Sequence, residues 1–482
     1  MRWRCILYVV GLLTLFFGLT MTASLAVSLY FQDGSSLPML FSMVITLLVG
    51  ILVTLGFRGA DTSNIRQREG MAIVFFGWTA VGFFGALPFY FGGVELTFTD
   101  ALFESISGFT TTGSSIFTSI ESHAKGILFW RSYIQWLGGM GIIVLSLAVL
   151  PFLKVGGMQL YKAEVPSPVP DKLKPRIQET AVTLWKVYIL FTVLQILMLL
   201  AGGMNLYEAV CHTFTTMPTG GFSTKSASIA HYNSAYFDTV FILFMLMAGI
   251  NFSLHYQMLR GKPLAIWKNA EGRFFLFISL ALVLLVSWNI HGEVYHSMGD
   301  SIRYGAFQVV SILTTTGFAT ADYETWPAMS QVILFMCMFI GASAGSTGGG
   351  IKCLRIMLLF KYCYRELFSL VHPRSITHIK ISGKPVPEEI IRSVIGFLTL
   401  YIGLFAVCAV ILAGLGVNFV TSLTAVASCI GNIGPGFGMV GPAENYAAIP
   451  TLGKWLLIWC MLLGRLEIYT VIILLVPEFW RK

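Results

Sequence analysis

The chain has 482 residues, of which 56% are hydrophobic, 14% aromatic and only 11% charged. So few charges cannot cover a water-soluble body of this length, and apolar runs of about 20 residues recur, long enough to cross a bilayer. The formal net charge of +8 suggests nucleic acid as a partner, but the placement of the charges along the chain excludes it.

Ten spans are expected at roughly 5–30, 38–56, 71–92, 127–153, 180–203, 235–259, 272–291, 328–361 (broken), 391–415 and 453–477. The first run lacks a small-residue cleavage site and is expected to stay as a helix rather than be removed as a signal peptide. With the N-terminus inside, 25 of the 31 Lys and Arg residues fall on the inner side, concentrated in loops 154–186, 260–273 and 352–392. That bias sets the orientation, with both termini cytoplasmic. Lys125, Arg131, Lys225, Arg303 and Lys454 fall outside it, and Arg465 lies within a span. Asp100, Glu104, Glu208 and Asp300 collect on the outer side, and an acidic mouth would raise the local cation concentration. The eight cysteines are scattered and form neither a disulfide framework nor a metal-ligand spacing. No long soluble segment is evident, so a nucleotide-binding or catalytic domain is expected on another chain.

Four segments between paired spans are too short to cross and too apolar to be plain loops. They run from Asp100 to Gly113, Tyr207 to Gly221, Ser301 to Gly317 and Val420 to Gly434. Each starts near a helix-initiating residue: Asp100, Asn205, Asp300 and Asn418. Each contains a helical stretch of about 8–10 residues, roughly 12–15 Å long, and ends in small polar residues and glycine. This is the pattern of a re-entrant loop, since irregular backbone at membrane depth is tolerated only in a watery cavity or packed in protein. A half-helix entering from outside points its C-terminal, partly negative end inward, where a cation is favoured. The returning stretch offers carbonyls in place of a cation's water. A lone Thr-Thr-Thr-Gly is explained as well by close helix packing through small residues. Four copies, each between two spans, are not.

At these residues the chain resembles the TrkH/TrkG branch of the Trk/Ktr/HKT potassium transporter superfamily, and the resemblance covers essentially the whole chain. It rests on Thr-Thr-Thr-Gly113, Gly-Gly221-Phe-Ser-Thr, Thr-Thr-Thr-Gly317-Phe and Gly-Asn-Ile-Gly434-Pro-Gly-Phe. It also rests on Gly-Ser-Thr-Gly-Gly-Gly350-Ile-Lys and Gly-Arg465-Leu-Glu-Ile-Tyr. The resemblance implies an all-α membrane protein of ten spans and four re-entrant pore loops around one ion pathway. Residues 1–70 would form two spans outside the repeats, and 71–153, 154–259, 260–390 and 391–482 the four pore repeats. It implies a K⁺ filter at Thr111, Thr112 and Gly113, at Thr219, Gly220 and Gly221, at Thr315, Thr316 and Gly317, and at Asn432, Ile433 and Gly434. Glycine rather than serine at 113 favours K⁺ over Na⁺ on this resemblance. The second loop can be aligned on Gly220 or Gly221, and the fourth lacks threonine, so an asymmetric filter is expected. The implied setting is the bacterial inner membrane, as a homodimer controlled by a cytoplasmic TrkA-like nucleotide-binding ring. K⁺ would be the transported ion, with no cofactor on this chain.

The eighth span is interrupted by Gly341-Ala-Ser-Ala-Gly345-Ser346-Thr347-Gly348-Gly349-Gly350-Ile-Lys352. Five glycines in ten residues disfavour a helix by about 5 kcal/mol relative to alanine, so a broken helix with an irregular segment is expected. The resemblance makes it an intramembrane gating loop; close helix packing is the plainer alternative. No Lys-Ser or Lys-Thr follows the glycines, so it is not a phosphate-binding loop.

Arg465 within a span must face water or a partner. Projecting into the path, it would repel a cation about 6 Å away by roughly 3 kcal/mol at an effective dielectric near 20. Alternatively it braces the loop by bonding its carbonyls, and both roles can coexist. His212 is expected to be a packed side chain, Glu104 and Glu208 to bond the loop backbone, and Trp3, Trp130, Trp326, Trp455 and Trp480 to sit at the membrane interface. A transporter coupled to H⁺ or Na⁺ remains the alternative function, although the spans carry little charge besides Arg465 and Glu467. An enzyme is not expected: no paired Asp and no His-Glu-x-x-His occurs.

Overall fold

The computed structural model describes residues 1–62, 65, 67–92, 96–148, 177–375 and 377–481. The basic stretch 154–176 expected on the inner side lies outside these residues. Long helices dominate. They are α1 (Trp3–Phe31), α2 (Ser36–Gly56), α3 (Gln67–Phe91), α5 (Lys125–Ala148), α6 (Ile177–Ala201), α10 (Ala270–Ile290) and α14 (Glu388–Gly414). Four short helices are interleaved: α4 (Phe98–Phe109), α7 (Leu206–Thr216), α11 (Met298–Leu313) and α15 (Phe419–Gly431). The rest of the body includes α8 (Ala235–Gly249), α9 (Phe252–Leu259), α12 (Ala328–Ile340), α13 (Cys353–Val371), α16 (Thr451–Arg465) and α17 (Ile468–Ile472).

Among the described residues, six helices are long and apolar enough to cross a membrane, and up to eight spans result if each of two bent pairs counts as one. The bends correct two expected continuous spans. The span 235–259 turns by 102° between α8 and α9, and 453–477 turns by 117° after Arg465. At the first, Asn251 stops one helix and caps the next, its side chain accepting from Ser253 N. At the second, Glu467 takes φ 61°, so Arg465 ends a helix instead of standing mid-span. The remaining expected spans fall on α5, described as far as Ala148, and on α12 and α13, separated by residues 341–352 as the glycine content requires.

Polarity is arranged inside out. Phe16, Leu52, Phe277 and Val410 are exposed, whereas Ser105, Thr110, Thr111, Thr112, Thr215, Ser311 and Asn432 are fully buried. Such a surface suits lipid, and the interior must then satisfy its own hydrogen bonds. Trp3 and Trp455 are exposed, but Trp130 and Trp326 are buried and are not interface anchors. Trp130 Nε1 donates to Gly85 O at 3.1 Å, giving its polar edge a partner within the core.

Candidate functional site

Three of the four short helices start on a side-chain cap, and all four stop alike. Thr97 caps α4 in a box with Asp100, and Asn205 and Asn418 cap α7 and α15. Asp100 is thus the third helical residue, not the cap, and Asp300 lies in the first turn of α11 behind Ser297. Each C-terminus closes on a left-handed residue: Thr111 (φ 51°), Thr219 (57°), Thr315 (61°) and Asn432 (55°). The following amide reaches back five residues, Thr112 N to Ser107 O, Gly220 N to Thr215 O, Thr316 N to Ser311 O and Ile433 N to Ser428 O, at 2.8–2.9 Å. Left-handed backbone costs a β-branched residue about 1–2 kcal/mol. Three threonines accept it at one register, a concentration of strain typical of functional sites.

Two residues on, glycine again takes positive φ: Gly113 (85°), Gly221 (74°), Gly317 (80°) and Gly434 (111°). The repeat of this pattern sets the second loop on Gly221. The four glycines meet in a ring. A Cβ added to Gly113 would strike Gly220 O, one on Gly221 would strike Thr316 O, and one on Gly317 would strike Ile433 O. A Cβ on Gly434 would come within 2.9 Å of Thr112 O and close the cycle. Each glycine therefore abuts the carbonyl that precedes the next loop's glycine. Together the four line one cavity of about 80 Å³.

Nine residues before each glycine stand Glu104, His212, Gln308 and Ala425. The first three brace their own loops. Glu104 accepts from Ile116 N at 2.9 Å, His212 Nε2 meets Ser223 Oγ at 2.9 Å, and Gln308 Nε2 donates to Ala321 O at 3.2 Å. In the fourth loop Thr424 Oγ1 takes this part, accepting from Phe437 N at 2.9 Å. Contacts between neighbouring units were not expected from sequence. Arg131 pairs with Glu104 at 2.5 Å and donates to Ser223 O at 2.9 Å. Asp238 pairs with Arg303 at 2.6 Å, Lys454 with Asp100 at 2.6 Å, and Tyr323 donates to Gly436 O at 2.9 Å. The only signal for the first was a charge and an amide four residues apart, Arg131 and Gln135, in an apolar run.

Three of the four acids named for the expected acidic mouth are neutralised by partners. Asp100 and Glu104 are paired as above, and Glu208 is neutralised by Lys225 at 2.9 Å. Glu208 also bonds Tyr232 rather than the loop backbone, at 2.8 Å. Among the described residues no group of three or more His, Cys, Asp or Glu could hold a metal ion, so the expected metal site has no side-chain ligand set.

On the helix side of the ring lies the segment 341–352. Gly349 N donates to Thr315 Oγ1 at 2.6 Å, and Thr347 Oγ1 donates to Met217 O at 2.9 Å. A Cβ on Gly349 would strike Gly431 O, and one on Gly348 would lie 3.0 Å from Thr314 O. Gly341, Gly345 and Gly350 adopt φ 72–76°, and Lys352 φ 80°. Ser346 Oγ donates to Ser343 O at 2.6 Å, and Lys352 Nζ bonds Gly348 O. From outside the segment, Glu271 accepts from Ala344 N at 2.6 Å. Arg465, buried, donates from Nη1 to Thr347 O at 2.7 Å. The brace is therefore the bond the structure holds. Glu467 pairs with Arg355 at 2.7 Å, so both charges a coupled mechanism would draw on are engaged.

Buried strained loops meeting inside an apolar helical body define a multi-pass membrane protein with an internal polar centre. The family model for TrkH, described as "Cation transport protein", matches residues 39–482, and the chain belongs to that family of transporters, not to the enzymes. The Trk system potassium uptake protein TrkH of Salmonella typhimurium is 42% identical over 488 residues, covering all of both chains. TrkG of Escherichia coli K12 is 36% identical over 486 residues and 99% of each chain. The crystal structure of the potassium transporter TrkH from Vibrio parahaemolyticus matches all of both chains with TM-score 0.92 at 38% identity. No comparison supports coupling to a second ion.

Proposed function

We propose that this chain takes up K⁺ across the bacterial inner membrane through the ring formed by the four loops. The observation that carries the proposal is the closed cycle of glycine-to-carbonyl contacts. Four chemically similar loops present main-chain oxygens to one axis, where they replace a cation's hydration shell. The named function of relatives at 36–42% identity over essentially the whole chain supports potassium as the ion. In this proposal the filter is residues 111–113, 219–221, 315–317 and 432–434, and the four repeats are 71–153, 154–259, 260–390 and 391–482. Ten spans and four re-entrant loops make up the molecule.

Residues 341–352 form the gate. The segment lies against the helix ends that support the ring and is held there by Arg465, so displacing it opens the inner half of the path. A cytoplasmic nucleotide-binding ring acts on it through the basic inner surface, where Arg260, Lys262, Lys268 and Arg273 precede and begin α10. Glu271, in the first turn of α10, holds Ala344 of the segment. The protein works as a homodimer with both termini in the cytoplasm.

The test is the reversal potential of reconstituted protein in K⁺ against Na⁺, for wild type and Gly113→Ser. The wild type should prefer K⁺. The serine side chain must displace Gly220 O and should erase much of that preference. An unchanged ratio in a folded variant rules out the first loop as part of the path.

A further inference from the structure

We infer that Gln135, on α5 of the first unit, is a specificity-determining residue that completes the second filter loop from outside it. The inference rests on the filter assignment above. The position before each ring glycine holds Thr112, Gly220, Thr316 and Ile433. Only the second loop lacks a side chain there, and the reason is visible. A Cβ on Gly220 would strike Gln135 Cδ and lie 2.5 Å from Oε1 and 2.7 Å from Nε2. The glutamine occupies the volume that a threonine or isoleucine of the loop fills elsewhere.

The amide also bonds the loop on both sides of the ring glycine. Gln135 Nε2 donates to Gly220 O at 2.7 Å, and Gln135 Oε1 accepts from Phe222 N at 3.2 Å. Gly220 O is one of the four ring carbonyls, the one abutting Gly113. Thr112 O, Thr316 O and Ile433 O accept no side-chain hydrogen bond among the described contacts. One carbonyl in four is thus shared with a fixed donor in a fully buried setting. A shared lone pair presents a weaker field to a cation, and a weaker field favours the larger, more easily dehydrated ion. Gln135 therefore aims Gly220 O and lowers its field, biasing the ring toward K⁺ over Na⁺.

Two kinds of variant test this in reconstituted full-length protein, with Gly113→Ser run in parallel. Gln135→Leu removes the donor and keeps the bulk; the K⁺/Na⁺ permeability ratio should fall about fivefold, the equivalent of one net hydrogen bond. Gly220→Ala should lose K⁺ flux because its methyl meets the glutamine, and Gln135→Ala in the same chain should restore flux with a lowered ratio. A purely structural glutamine predicts an unaltered ratio in Gln135→Leu and in the rescued double variant alike, and that result overturns the inference. If Gly113→Ser shifts the ratio while Gln135→Leu does not, the Gln135 assignment alone fails. If neither shifts it, the filter assignment fails as well.

Discussion

Arg465, the last residue of α16, donates to the carbonyl of Thr347, in the middle of the glycine-rich segment 118 residues earlier in the chain, at 2.7 Å. Its Nε and Nη2 have no partner among the described residues. A hydrogen bond from a charged donor is worth about 1.5–3 kcal/mol, so this contact helps to hold the segment in place. Arg465→Ala should release the segment and raise partner-independent K⁺ flux in liposomes. Arg465→Lys, with a single flexible ammonium in place of the planar fork, should give an intermediate rise. Flux equal to wild type in folded Arg465→Ala would separate this residue from gating.

Thr315 and Thr111 occupy the same register in two loops but differ in one contact. The Thr315 hydroxyl accepts from Gly349 N at 2.6 Å, whereas Thr111 Oγ1 has no partner among the described residues. Valine matches threonine in shape and lacks the hydroxyl. Thr315→Val should weaken the segment's hold by about 1 kcal/mol, seen as raised flux without the proposed cytoplasmic partner. Thr111→Val should alter the ring without changing dependence on the partner. Equal effects of the two on partner dependence would mean that the Gly349 contact does not hold the gate.

The Glu104–Arg131 pair is almost fully buried and joins the first and second loops. Removing one member leaves the other charge uncompensated, so Arg131→Ala should cost about 3–5 kcal/mol. Arg131→Leu combined with Glu104→Gln should cost clearly less, because no charge is left alone. Unfolding midpoints in detergent measure both, and a double variant less stable than Arg131→Ala would contradict the pairing energetics.

Asp33, between α1 and α2, ties the N-terminal hairpin to the start of α5 by accepting from Gly126 N at 2.6 Å. Burial acts to raise its pKa and is the largest single influence. The hydrogen bonds from Ser28, Gly126 and Ser35 together outweigh it and hold the carboxyl below its ordinary 3.8. A depressed carboxyl stabilises the folded state fully above the unfolded value, and that contribution is lost as pH falls through the folded value. The stability advantage of wild type over Asp33→Asn should thus be full near neutral pH and shrink on acidification below about pH 4. Thermal midpoints of both proteins across that range provide the check.

Most of the architecture is legible along the chain because it depends on local chemistry. Apolar runs must become membrane-crossing helices, five glycines in ten residues must interrupt α12 from α13, and Thr-Gly endings must stop the short helices. The breaks at Asn251 and Glu467 were not legible. Glu467 is neither Gly nor Pro, and its positive φ arises where its carboxylate meets Arg355, 112 residues away.

The site divides in the same way. Residue types and positions of the four loops follow from sequence, but three relationships belong to tertiary structure alone. These are the setting of the second loop on Gly221, the neutralisation of Asp100, Glu104 and Glu208 by distant cations, and the place of Gln135 beside Gly220. Each depends on which side chains arrive from other units, and no local pattern encodes an approach across some 20 to 350 residues. Sequence alone determined that a polar centre must exist inside an apolar body; the packing of four unequal units decided which oxygens face it and which are already bonded.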